Sequence, residues 1–366
     1  MVLQVNLLIY VYMALCVCLL IFNLIYIGRG KIGQKREPRK IQKYQEKLRQ
    51  VLLDGKGAAV SEREKEKWMR TLASCSRLIL FEQAIEGLQS EEPKLPVQEW
   101  MWNNRDIFWH LGSVYLEKKG MEPAFLAYIA EQYHLCGKEE KDPIALQMEQ
   151  LVMSHSIYCR ENALYALYSS GQVYHVARAY RILSRAGIMH SSKMVTDGLL
   201  AFRGDCEELA EELWKCWDVF SAYYQTCFVN FMRMIDGDFS KEVLEVLTDE
   251  ENDSELHFAA IRYFRKHSYS KAYKKLCTFV EQWESEDWEY AAISALSLEA
   301  YPGERTIEVL AKGCESRSWY VRYNSALSLA KITDAEQKRD LLAKEKDPYA
   351  SAMMKYCFAN MEEKTG

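Results

Sequence analysis

The pentapeptide Ser294-Ala295-Leu296-Ser297-Leu298 recurs identically as Ser325-Ala326-Leu327-Ser328-Leu329, 31 residues later. In the same frame Trp288 falls on Trp319 and Tyr290 on Val321. Further back, Tyr158-Cys159-Arg160-Glu161-Asn162-Ala163 lines up with Tyr320-Val321-Arg322-Tyr323-Asn324-Ser325, and Leu167 with Leu329. Leu256-His257, Ala260 and Phe264 fit more loosely, and weaker copies begin near Met194, Tyr224 and Ala350. A period of about 30 to 35 residues is the length of a helix-pair repeat. One helix pair buries too little apolar surface to offset the entropy of ordering it, so such units must stack on their neighbours. The expected fold class is therefore all-α, a body of stacked antiparallel helix pairs forming an α-solenoid.

The punctuation of the chain agrees. Only 17 Gly and 7 Pro occur in 366 residues, too few tight-turn residues for a many-stranded sandwich or barrel. Breakers at Glu91 to Pro96, Gly120, Asp142-Pro143, Gly171, Gly187, Gly204, Gly237, Asp249 to Ser254, Pro302-Gly303, Gly313 and Asp347-Pro348 separate apolar-periodic segments of helical length. Ser61-Glu62-Arg63-Glu64 reads as a capping box opening a helix, with Trp68, Leu72, Cys75, Leu78, Ile79, Ala84, Ile85 and Leu88 continuing at spacings near three and four.

Val321-Arg322, Ser325-Ala326 and Leu329 resemble the opening of a HEAT repeat, and Asp347-Pro348-Tyr349-Ala350 resembles another opening without the Arg. The resemblance to the HEAT-repeat family covers roughly residues 140 to 360. It implies a polar ladder between successive pairs, carried here by Arg160 with Asn162 and by Arg322 with Asn324, while His257 stands in the Arg place of a third copy. Near residues 108–128, Leu111-Gly112, Tyr115, Ala124 and Tyr128 resemble part of a tetratricopeptide repeat, without its Trp and with the Gly displaced to Gly120.

The N-terminal segment reads differently. From Leu7 to Ile27 only Asn23 is polar, and about 21 residues at 1.5 Å each match a hydrocarbon core of roughly 30 Å, so a single transmembrane helix is expected. Arg29, Lys31, Lys35, Arg36, Arg39, Lys40 and Lys43 follow, opposed by Glu37, and by the positive-inside rule set the N-terminus outside and the rest in the cytoplasm. A single-pass cell-membrane protein is the location this implies. Residues 38–54 read as a basic amphipathic helix with Ile41, Tyr44, Leu48, Val51 and Leu52 on one stripe; it is either laid on an anionic leaflet or a linker whose charges set topology. The expected organisation is an anchor over 1–28, a basic juxtamembrane helix over 29–58, an N-terminal helical part over 59–140 and HEAT-like repeats over 141–366. Scattered cysteines (Cys75, Cys136, Cys159, Cys227, Cys277, Cys357) read as small buried hydrophobes rather than a disulfide framework.

Catalytic signatures are missing: no phosphate loop, dinucleotide fingerprint, His-Glu-x-x-His or nucleophile elbow occurs. No enzyme activity, cofactor or metal is expected. His155 and Cys159 lie four apart, but two ligands do not close a tetrahedral site. Arg203-Gly204-Asp205 reads as a turn between helices, and Glu207-Glu208 with Glu211-Glu212 as a solvated acidic face. A net charge of -5 argues against nucleic acid as a partner. The remaining signal is aromatic: Trp100, Trp102, Trp214 and Trp217 are candidate anchors for a protein partner, weighed against their use as packing between layers. The reading is a membrane-tethered interaction scaffold with a membrane-associated protein partner; the family resemblance, joined to an anchor, implies an enzyme such as an envelope glycosyltransferase. The alternative is a repeat-built enzyme or ligand-binding protein whose pocket spreads over several repeats.

Overall fold

The computed structural model describes residues 13, 15, 19, 38–53, 57–282 and 288–365, and no strand occurs among them. The chain divides into two compact units, residues 1–166 and 167–366.

In the first unit a helix over residues 38–53 (α1) is followed by α2 (Glu62–Leu72), α3 (Cys75–Glu91), α4 (Val97–Asn103), α5 (Arg105–Leu116), α6 (Glu122–Gln132) and α7 (Pro143–Leu151). The division between the units falls in α8 (Ile157–Ser170). The core is aromatic: Trp68 packs edge-on against Phe81 at 5.5 Å and Trp100 at 6.1 Å, and Phe81 reaches Phe108 at 6.3 Å. Asn104, fully buried, holds the segment before α2 by accepting from Val60 N at 2.8 Å and donating to Ala58 O at 3.2 Å. Asp142 ends the preceding loop as the α7 N-cap, accepting from Ala145 N at 2.9 Å, with Pro143 at the first helical position where its missing N–H costs nothing. Arg105 pairs with the Asp142 carboxylate and donates to Leu135 O at 2.8 Å. Tyr115 in the tetratricopeptide-like stretch is buried, and its hydroxyl donates to Leu72 O at 3.0 Å.

The second unit continues with α9 (Val173–Arg185), α10 (Ser192–Leu200), α11 (Cys206–Lys215), α12 (Ala222–Met234), α13 (Ser240–Thr248), α14 (Ser254–Lys266), α15 (Ser270–Glu281), α16 (Trp288–Ser297), α17 (Glu304–Cys314), α18 (Trp319–Ile332), α19 (Ala335–Lys344) and α20 (Pro348–Thr365). Its helices pack in neighbouring pairs. Even-numbered helices form one layer, α10 on α12, α12 on α14, α14 on α16, α16 on α18 and α18 on α20, while α9 on α11 and α15 on α17 form a second. Side-chain caps start several of them: Ser191, Asp205 and Asp253 accept from backbone N–H groups, and Asp334 forms a full capping box with Gln337.

The repeated pentapeptide acquires a physical meaning here. Small residues on α16 (Ala291, Ala292, Ser294, Ala295) and α18 (Ser325, Ala326, Ser328) are buried and allow the helices to approach closely. Ser328 Oγ donates to Ala295 O at 2.8 Å, and Ser297 Oγ, its counterpart one repeat earlier, donates to Ile261 O at 3.0 Å. Asn324 Nδ2 donates to Ala292 O at 2.8 Å, and Tyr301 OH to Phe264 O at 3.3 Å. Glu299 accepts from Arg265 Nε at 2.8 Å and from Lys331 Nζ at 2.7 Å, joining three successive pairs. Burial works to raise the Glu299 carboxyl, but the hydrogen bonds from Arg265 and Lys331 outweigh it and leave the group below its ordinary range.

Two sequence expectations are corrected. Among the described residues no helix is long and apolar enough to cross a membrane. The longest, α3 and α20, are interrupted by charges such as Arg77, Glu82 and Lys355. The span expected over Leu7 to Ile27 lies, apart from Met13, Leu15 and Leu19, outside the described residues, as do Arg29, Lys31, Lys35 and Arg36. The single-pass topology, and the cell-membrane location and tether derived from it, are therefore not supported. The stripe of α1 proposed for a leaflet is committed elsewhere: Leu48 and Leu52 are 0% and 1% exposed, and Tyr44 packs 6.3 Å from Trp68. Burial against protein satisfies the same hydrophobic pattern that burial in lipid would.

Candidate functional site

The pair Arg160/Asn162 and the pair Arg322/Asn324 occupy the same local geometry, one in each unit. Arg160 Nη1 donates to Ser154 O at 2.8 Å and His155 O at 3.2 Å; Arg322 Nη1 donates to Ser316 O at 2.7 Å and Arg317 O at 3.4 Å. Asn162 Nδ2 reaches Ala124 O at 2.9 Å, as Asn324 reaches Ala292 O. The likeness extends two serines upstream. Ser156 N donates to Ser154 Oγ at 3.3 Å and Ser318 N to Ser316 Oγ at 3.1 Å, so the repeated signature is Ser-x-Ser-x-Tyr-x-Arg-x-Asn. These residues hold the entry loop and lock a helix onto its predecessor; they are framework. His257, in the third copy, bonds Tyr290 OH through Nδ1 and Asp249 O through Nε2, each at 2.8 Å.

What the signature carries on its outer side is aromatic. Val321 turns inward and is fully buried, which turns Trp319 and Tyr320 outward at 51% and 56% exposure. Trp319 and Tyr323, one turn apart, stack at 4.9 Å with planes 7° apart, and Tyr320 stacks on Trp288 of α16 at 5.2 Å. Across from them α20 presents Tyr349, Met353 and Tyr356 on one face, with Tyr349 and Tyr356 at 70% and 58% exposure. The start of α20 is fixed by Asp347, whose carboxylate accepts from Ala350 N at 2.7 Å. Trp319, Arg322, Tyr323, Tyr349, Ala352, Met353 and Tyr356 enclose a groove of about 540 Å³. Its one lining charge is Arg322, whose guanidinium carbon lies 5.9 Å from the Tyr349 ring while its Nη1 is tied to backbone carbonyls. Such a surface offers flat apolar faces and one fixed cation, the chemistry that receives an apolar anchor beside an acidic group.

The four tryptophans singled out from sequence fall elsewhere. Trp100 is 1% exposed in the first unit's core. Trp102 stands at the surface with the Arg105 guanidinium 4.5 Å from its ring. Trp214 and Trp217 are half-buried against each other at 4.6 Å. Of the basic flank, Arg39, Lys40 and Lys43 are exposed on α1. The groove aromatics were missed because a sequence shows an aromatic without its facing neighbour. Their signal was the doubled ring at the opening of the best repeat copy, Trp319-Tyr320, which has exposed counterparts in Ile157-Tyr158.

Among the described residues no group of three or more His, Cys, Asp or Glu side chains is placed to hold a metal ion. The fold thus defines an all-helical protein of helices packed in neighbouring pairs, with an aromatic groove on its last two even-layer helices. Neither known protein families nor curated proteins yield a match to the chain.

Proposed function

We propose that the protein is a HEAT-type interaction scaffold that binds a protein segment in the groove between α18 and α20. One observation carries the reading: Trp319, Tyr323, Tyr349 and Tyr356 line a single open concavity, three of them more than half exposed or close to it, although the rings of this unit are otherwise largely used in packing. Contiguous exposed aromatic surface of this kind is costly to leave in water and marks binding sites. The fitting occupant is a helix or extended segment bearing apolar anchors and a carboxylate for Arg322. The framework bonds of the Arg322/Asn324 signature support the reading by holding the groove wall rigid, which lowers the ordering cost of association.

The test places a photo-crosslinking amino acid at Tyr349 of the full chain, with the same residue at exposed Met189 as control, and identifies what is captured. The partner is then purified and its affinity measured against Trp319→Ala and Tyr349→Ala. Loss of either anchor should weaken binding about 30-fold, from roughly 2 kcal/mol for a hot-spot ring. Unchanged affinity in both variants would rule the groove out as the docking site.

A further inference from the structure

A second concavity lies in the first unit and has the opposite chemistry. Lys40, Lys43, Tyr44 and Lys47 fall on successive turns of one face of α1, and Lys67 and Thr71, one turn apart on α2, face them across a space of about 420 Å³. We propose that this cleft binds a small molecule carrying a cluster of phosphate groups.

No carboxylate lines the cleft. Several cations elsewhere in the unit are matched: Lys65 with Glu62 and Asp106, Lys118 with Glu122, and Arg49 with Glu91 and Glu92. Among the described residues none of the four cleft lysines has such a partner. Four lysines line one space and the Lys67 charge acts on Lys47, so like charge accumulates there within a screening length of about 8 Å and a multivalent anion relieves the repulsion.

The cleft is also built rather than incidental. Lys47 Nζ sits 3.6 Å from the centroid of the buried Trp68 ring, which fixes its ammonium. Burial, then the neighbouring Lys67 charge, pushes the Lys47 pKa down against the opposing pull of Glu64. Thr71 Oγ donates to Lys67 O at 2.7 Å, anchoring the cleft wall to its own helix. Beneath, the Gln45 side chain of α1 lies over Gly87 of α3, where an added Cβ would come within 2.4 Å of its Nε2, so the two helices meet at this glycine. The volume suits a small ligand. Lysines act as separate point charges, and several of them converging on one space match several phosphates on one molecule better than a lone carboxylate, which would neutralise only one of them.

Isothermal titration of the full chain with tripolyphosphate and with inositol hexakisphosphate, at low and at physiological ionic strength, tests this. Flotation with vesicles carrying phosphatidylinositol bisphosphate runs beside it. We expect one saturable site, weakened about tenfold or more in Lys43→Gln/Lys47→Gln, whose far-UV circular dichroism stays native, and unchanged in Lys94→Gln outside the cleft. Binding of the dissolved anions assigns a free ligand; binding to the vesicles alone, still lost in the double variant, assigns the same phosphate chemistry to a headgroup. No saturable binding in either arm overturns the proposal, and so does binding that the double variant leaves unchanged or that Lys94→Gln weakens equally.

Discussion

Ser325 and Ser328 lie three residues apart on α18, both fully buried, and their replacement by Ala should move stability in opposite directions. Ser328 Oγ donates to Ala295 O at 2.8 Å, whereas Ser325 Oγ has no hydrogen-bond partner. Removing the Ser328 hydroxyl forfeits a buried hydrogen bond of about 1 kcal/mol. The higher helix propensity of Ala returns about 0.5 kcal/mol, so Ser328→Ala should cost roughly 0.5 to 1 kcal/mol. Ser325→Ala loses no bond, gains the same propensity and relieves a desolvated hydroxyl worth about 1 kcal/mol or more, so it should stabilise by roughly 1 to 2 kcal/mol. The variants thus separate by about 1.5 to 3 kcal/mol although their chemistry is identical. Urea denaturation followed by far-UV circular dichroism reads this as midpoints shifted to either side of wild type at constant slope. Ser297→Ala and Ser294→Ala should repeat the pattern one pair earlier, since Ser297 donates to Ile261 O and Ser294 Oγ is also unpartnered. Shifts of equal sign and size at 325 and 328 would refute the idea that the pentapeptide recurs because of its fourth residue's bond.

Trp100→Ala, in the core against Trp68 and Phe81, should destabilise by about 3 to 5 kcal/mol, whereas Trp102→Ala, which loses mainly its contact with Arg105, should cost about 1 kcal/mol or less. Equal urea midpoints for the two would contradict their placement. Burial pushes the Cys357 thiol up to about 11 from an ordinary value of 9.0, so between those values the unfolded chain releases a proton that the folded one keeps. The Cys357 contribution to stability should be flat below that window and fall as pH rises through it, so Cys357→Ala should show a shallower fall there; identical slopes would remove the assignment.

The repeat frame was legible because its cause is local. Arg160 and Arg322 grasp carbonyls five and six residues upstream, so the device is written in one short stretch and its spacing survives copying. The Arg265, Glu299 and Lys331 ladder was not legible, because three charges among many become a ladder only when three pairs take one register. Trp100 and Trp319 show the same limit for aromatics: both sit in the first turn or so of a helix, and only the surrounding rings decide that one is core and the other groove. Leu48 and Leu52 show it for the basic helix, whose stripe reads alike whether its cover is lipid or α2 and α3. Hydropathy alone likewise favoured a membrane span over Leu7 to Ile27, whereas none of the described helices meets that criterion.

The side-chain bonds to main-chain carbonyls between pairs in the second unit have a direction in time. Ser297, Tyr301, Asn324 and Ser328 each donate to a carbonyl 32 to 37 residues earlier, at Ile261, Phe264, Ala292 and Ala295; Lys266 and His267 do the same to Met234 and Arg233. A chain emerging from the ribosome N-terminus first therefore lays down these carbonyls before the side chains that donate to them exist. Each new helix pair finds these carbonyls already in place, so the unit can grow vectorially, while the bonds of Arg265 to Glu299 and of the Phe239 and Tyr269 N–H groups to the Tyr263 and Tyr301 hydroxyls close only as the later residues arrive.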